Sequence, residues 1–128
     1  MDIQRELRRM RSLEEVMFNF GQVDVYFSYY YKTYKMEEPI DLDGIAREYV
    51  RFVAQLDTRA RKTVMGIYPS VPHDEYQRTT LCKYAIVDEE VAEKIPDHDL
   101  SLQVRQERVR RFNQVLKTTC EEYGIYFA

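Results

Sequence analysis

Residues 19–34, NFGQVDVYFSYYYKTY, set Gly21, Gln22, Val23 and Asp24 ahead of six aromatic residues from Tyr26 to Tyr34. Such a stretch reads as the end of a core strand opening onto a ligand site, or as plain core with a tyrosine-rich flank. Asp24, just beyond the strand, can orient a loop, cap the next turn or hydrogen-bond a ligand. Two further groups place a histidine beside carboxylates: His73, Asp74 and Glu75, then Asp97, His98 and Asp99. Imidazole with carboxylate suits zinc or manganese if the groups converge. Loop neighbours need not converge, and the plainer reading is a solvated loop with Asp99 as a helix cap. His73 follows the end of a strand, where it could act as a general base, yet no nucleophile is visible beside it. The tyrosines could stack on sugar rings. At helical spacing they more often form core or a half-buried interface, where a phenol keeps one end wet.

These side chains need a scaffold, and 128 residues suffice for one domain with a modest core. Four glycines and four prolines leave no flexible linker, and 45% hydrophobic with 32% charged residues is ordinary for a globular chain. No apolar run is long enough for a membrane span, and MDIQRELRRMRS lacks the apolar centre of a secretion signal. A net charge of −3 argues against a general nucleic-acid binder. Arg5, Arg8, Arg9 and Arg11, and then Arg105, Arg108, Arg110 and Arg111, read as solvated helix faces. Cys82 and Cys120 make neither a disulfide framework nor a metal motif. They read as free thiols in a reducing, cytoplasmic setting, with no cofactor and no metal implied.

Ile3, Leu7, Met10 and Leu13 recur at helical spacing. EVMFNFG is a continuous apolar run of the sort that suits a strand covered on both faces. Val23, Phe27, Tyr30 and Tyr34 share one face of a short helix or turn, which KMEEPI breaks. Asp41 or Asp43 caps a helix burying Ile45, Tyr49, Phe52, Val53 and Leu56. KTVMGIYP is a second strand stopped by Pro69. SVPHDEYQRTTLCKYAIV is a long connection without clear periodicity. DEEVAEKI is two helical turns closed by Pro96. Asp99 caps the longest helix, whose Leu102, Val109, Phe112, Leu116, Cys120 and Tyr123 line one side, and Gly124 takes the left-handed C-terminal cap. IYFA begins a third strand.

Strand, helix, strand, helix, strand is the pattern of a parallel sheet with crossover helices, so a single α/β domain over residues 1–128 is expected, three-layered, with a small sheet flanked by helices. Ligands of such sheets bind beyond the carboxyl ends of the strands, where residues 21–24 and 69–76 would meet. Three strands also leave edges and apolar faces that need a partner, either a second copy or another protein.

VMFNFGQVDV resembles the strand and loop of SGNH hydrolases, a branch of the GDSL esterase group, in which a strand ends in Gly-x-Asn-Asp. Relatives near polysaccharide-modifying genes carry Gly-Glu-(Ile/Val)-Asp there, nearer to Gly21-Gln22-Val23-Asp24. VMGIYP, the long helix and YGIYFA follow in similar order, so the likeness covers residues 14–128. It implies an incomplete flavodoxin-like sheet, an esterase or acyltransferase ancestry and an acylated carbohydrate as ligand. The family's Gly-Asp-Ser and Asp-x-x-His are absent from this sequence, and its motif asparagine falls at Val23, which has no side-chain donor. The resemblance therefore implies a domain, or part of a larger one, without hydrolytic activity of its own. Gly21, Gln22, Asp24 and His73 are its candidate ligand-binding residues. The other reading is a non-catalytic interaction or dimerisation domain using the tyrosine-rich surface.

Overall fold

The computed structural model describes residues 2–10, 12 and 14–128, so Arg11 and Leu13 lie outside the described residues. Helix α1 (Ile3–Arg9), capped by Asp2, leads into strand β1 (Glu15–Asn19). A helix over 22–35 follows, here called the tyrosine helix. Then come α2 (Leu42–Gln55), β2 (Arg61–Met65), α3 (Asp74–Lys83), α4 (Glu89–Lys94), α5 (Asp97–Leu100), α6 (Leu102–Tyr123) and β3 (Tyr126–Phe127).

The strands are all parallel, in the order β1-β2-β3, with Phe18 beside Val64 and Val64 beside Phe127. That order has a consequence. Two right-handed crossovers that step the same way across a sheet put their helices on the same face. Val16, Phe18, Val64 and Phe127 accordingly pack with Val50 and Val53 of α2 and Phe112, Val115 and Leu116 of α6. On the other face, Met17 is 53% and Tyr126 60% exposed. The expected cover on both faces of β1, and with it the three-layer arrangement, is therefore replaced among the described residues by two layers. A mixed α/β chain with helices packed on a small parallel sheet remains.

Local chemistry explains most element ends. The carboxylate of Asp41, not Asp43, accepts from Gly44 N at 2.9 Å and starts α2. Gly124 closes α6 in the left-handed region (φ 67°), its N–H reaching Cys120 O and Glu121 O. The cap at the head of α6 is Ser101, whose Oγ accepts from Val104 N at 3.4 Å; Asp99 lies two residues earlier, inside α5. Phe52, expected in the core, is 43% exposed, and Ala46 takes its place in the buried stripe of α2.

Two elements escape simple periodicity. The tyrosine helix is wound as π-helix over Asp24–Ser28 and again over Tyr31–Lys35. A π turn closes five residues apart, so its buried stripe runs Val25 to Tyr30 while Val23 faces solvent. Helix α3 lies inside the segment expected to be an irregular connection. Its buried face is Gln77, Thr80 and Leu81, and the two polar members hide the helical period.

Gly21 sits between β1 and the tyrosine helix with φ 106°, and a Cβ there would lie 2.4 Å from the Phe112 ring. Gly124 shares the positive φ, but no atom lies within 4 Å of its would-be Cβ. Gly124→Ala should therefore cost about 1–2 kcal/mol, the left-handed term alone. Gly21→Ala should cost about 1–3 kcal/mol more, through displacement of Phe112. Urea unfolding midpoints of the two variants check the difference.

Candidate functional site

The loops that leave β1 and β2 converge on a pocket of about 220 Å³. Gln22, Val23, Tyr26 and Phe27 form one wall, Pro69, Ser70 and Val71 a second, and Tyr76, Gln77 and Thr80 of α3 a third. At a water's share of about 30 Å³, the space equals roughly seven waters, enough for a small group rather than a drug-sized ligand. It lies where the exits of two parallel strands meet, as such sheets favour.

Arg105 fixes the second wall. The first turn of α6 carries it into the interior, where it is 1% exposed. Its Nε donates to Leu100 O at 2.8 Å, and its terminal nitrogens donate to Ser70 Oγ, to Val71 O at 3.0 Å and to His73 O at 2.8 Å. One guanidinium thus ties residues 70–73 to the α5–α6 junction, which is the work a rigid fork of donors suits. Nearby, Asn113 grips Ile67, accepting from its N–H at 2.7 Å and donating to its carbonyl at 3.2 Å. The Tyr26 hydroxyl donates to Tyr68 O at 2.7 Å, and buried Gln77 donates to Tyr26 O at 2.5 Å. Burial raises the Tyr26 pKa, with Ser70 and Arg105 opposing the rise, so at neutral pH this phenol is a neutral donor.

Of the four residues expected to bind ligand, only Gln22 lines this pocket. Gly21 is taken up in packing on Phe112. Asp24 neither caps a turn nor faces the crevice; it accepts a short hydrogen bond from the Tyr49 hydroxyl. Burial first, and then the Asp24 carboxylate, push the Tyr49 pKa up. Asp24 lines a separate open groove with Ser28, Lys32 and Glu48. His73 is exposed at the head of α3, and it is its carbonyl that takes part in the Arg105 network. The Asp74 side chain lies outside the described structure. Among the described residues no three metal-ligating side chains gather.

The serines are likewise dispersed. Ser70 Oγ accepts from Arg105, Ser101 donates to His98 O at 2.6 Å while capping α6, and Ser28 faces the groove of Asp24. No serine hydroxyl is hydrogen-bonded to a histidine ring nitrogen among the described residues. A nucleophile here would lack the base that activates it. The pocket has the size and the mixed apolar and polar walls to hold and orient a small group. Cys82 and Cys120 are unpaired thiols, and burial pushes Cys120 up to about 11, leaving it protonated and inert.

A second polar cluster was not expected from the sequence. Asp99, 6% exposed, accepts from Arg108 at 2.5 Å, from Tyr34 at 2.5 Å and from Tyr29 at 3.1 Å. Tyr30 donates to the Asp99 carbonyl at 2.7 Å and accepts from Arg108 at 2.9 Å. The Arg108 guanidinium also lies 3.8 Å from the centre of the Tyr29 ring. Burial pushes Tyr30 up to about 12, against the pull of Arg108. The π winding makes this possible, because Tyr29 and Tyr34, five residues apart, reach the same carboxylate. The tyrosine-rich segment is thereby spent inside the molecule, and only Tyr31 of its tyrosines is exposed. Of the arginines read as a solvated face, Arg105 is buried and Arg108 is half-buried. Arg105 does continue the Val109, Phe112, Leu116 stripe one step toward the N-terminus, and that was the available signal.

No family model matches the chain, and neither a curated protein nor a solved structure does.

Arg108→Met should destabilise the protein by about 3–5 kcal/mol, because it leaves Asp99 buried without its cation. Asp99→Leu in the same chain should recover part of that loss. A double-mutant cycle in urea should give a coupling on the order of 2 kcal/mol.

Proposed function

We propose that the protein is a ligand-binding domain of SGNH-hydrolase kind that holds an acylated carbohydrate without hydrolysing it. The observation that carries this reading is the pocket formed by the exits of β1 and β2. Its apolar walls, Val23, Phe27, Pro69 and Val71, suit a short acyl group. Its amides and hydroxyls, on Gln22, Ser70, Tyr76 and Thr80, suit the ester oxygens and a sugar rim. The strand order supports the kinship. In a doubly wound sheet of order 2-1-3-4-5, the last three strands are consecutive neighbours with crossovers on one face, as β1, β2 and β3 are here. The loop after β1, with Gly21 and Gln22, then stands where the family places its Gly-x-Asn-Asp. The lack, among the described residues, of a serine hydroxyl bonded to a histidine ring supports binding without turnover.

A per-acetylated glucose should bind the purified chain and unacetylated glucose should not, as read by chemical-shift changes at Gln22, Val71 and Thr80. Ser70→Ala should leave the hydrolysis of p-nitrophenyl acetate at the background of the wild-type chain. Equal shifts with both sugars, or none, would reject the ligand assignment. Catalytic turnover lost in Ser70→Ala would reject the non-hydrolytic one.

A further inference from the structure

The uncovered face of the sheet is a surface that the pocket does not explain. Its residues follow from the register: Glu15, Met17 and Asn19 of β1, Arg61, Thr63 and Met65 of β2, and Tyr126 of β3. All-parallel sheets occur almost only with both faces covered, because their crossover helices usually fall on both sides. Here Met17 and Tyr126 present apolar surface to solvent on either side of buried Thr63.

Total surface points the same way. A monomer of 15.5 kDa is expected to expose roughly 7,200 Å². The chain exposes 8437 Å², an excess of roughly 1,200 Å² over that expectation. A standard interface takes about 800 Å² from each partner, so the chain as a whole has surface to spare for one such contact.

Charge identifies the occupant. The face carries one acid and one base, adjacent on paired strands: Arg61 donates to Glu15 at 2.9 Å, and its guanidinium lies 4.9 Å from the centre of the Tyr126 ring. A partner of strong single sign would find no net charge to meet. A surface with one charge of each sign beside apolar neighbours is complementary to itself under a two-fold rotation, which sets each Glu15 toward the other copy's Arg61. Met17 thioethers and Tyr126 rings are a favourable pair for the centre of such a contact.

We infer that two copies of this chain associate face to face through the Met17 side of the sheet, in an isologous dimer with its sheets stacked about 10 Å apart. The pockets at the strand exits stay outside this contact, so the dimer is independent of the ligand reading.

Sedimentation velocity of the full chain at about 100 µM should give twice the monomer mass, and Met17→Glu should weaken association by about tenfold or more. Met36→Glu, at an exposed methionine away from the sheet, should leave association unchanged. Should Met17→Glu fail to fold by circular dichroism, the charge variants decide: Arg61→Glu weakens the dimer, and Glu15→Arg with Arg61→Glu restores it. A wild-type monomer at that concentration overturns the inference. So does a dimer indifferent to Met17→Glu, or to Arg61→Glu where Met17→Glu does not fold.

Discussion

Three parallel strands laid down in the order of the chain send both of their crossovers to the same side. From this constraint follow the one-sided core, the bare face carrying Met17 and Tyr126, and the meeting of two loop exits at a single pocket. A reversal of strand order would have moved one helical connection across the sheet and covered that face. In its absence α2 and α6, joined in the same cluster by Leu7 of α1 and Val25 of the tyrosine helix, bury Val16, Phe18, Val64 and Phe127. They do so as neighbours, and Asp43 at the start of α2 accepts from Arg111 of α6 at 2.7 Å along their outer edge.

Helix α6 also joins two cores. Its later turns carry Phe112, Leu116 and Cys120 against the sheet, while its first turns carry Arg105 and Arg108 to the second core of Tyr30, Leu81, Val87, Ile95 and Leu100. The seam between the cores is polar and satisfied: no buried side-chain nitrogen or oxygen among the described residues lacks a partner. A buried charge is costly unless every donor is used, and once used it fixes geometry more tightly than apolar contact does. Arg105 uses that property to hold the loop of Ser70, Val71 and His73 in one shape. The pocket wall therefore owes its form to a cation that never touches the pocket's contents.

The walls of the pocket are held in place before any ligand arrives. Two hydroxyls at the pocket hold its walls: Tyr26 donates to Tyr68 O, and Ser70 accepts from Arg105. Such a site can favour one small group over another by shape and hydrogen bonding.

Much of the architecture was legible in residue patterns. The apolar run of β1, the Asp41 cap, the Gly124 terminator and the period of α6 are local signals, because each depends on contacts within a few residues. The direction of the strands followed from the alternation of elements, and so did the convergence of residues 21–24 and 69–76 on one crevice. Side-chain direction within that crevice did not follow. Asp24 turns to Tyr49 and His73 to solvent because a π-wound helix and a loop held by Arg105 rotate them there, and neither leaves a periodic trace. The same holds for the aromatic run, whose surface or interior fate depends on Asp99, some 65 residues away and buried only after folding. Sequence by itself determined most of the helices and strands, α3 excepted, and that the strands run parallel, since those are matters of short-range sterics and burial period. Which face stays bare, and which polar groups meet inside, were decided by the order in which the strands dock, a long-range choice that no single segment encodes.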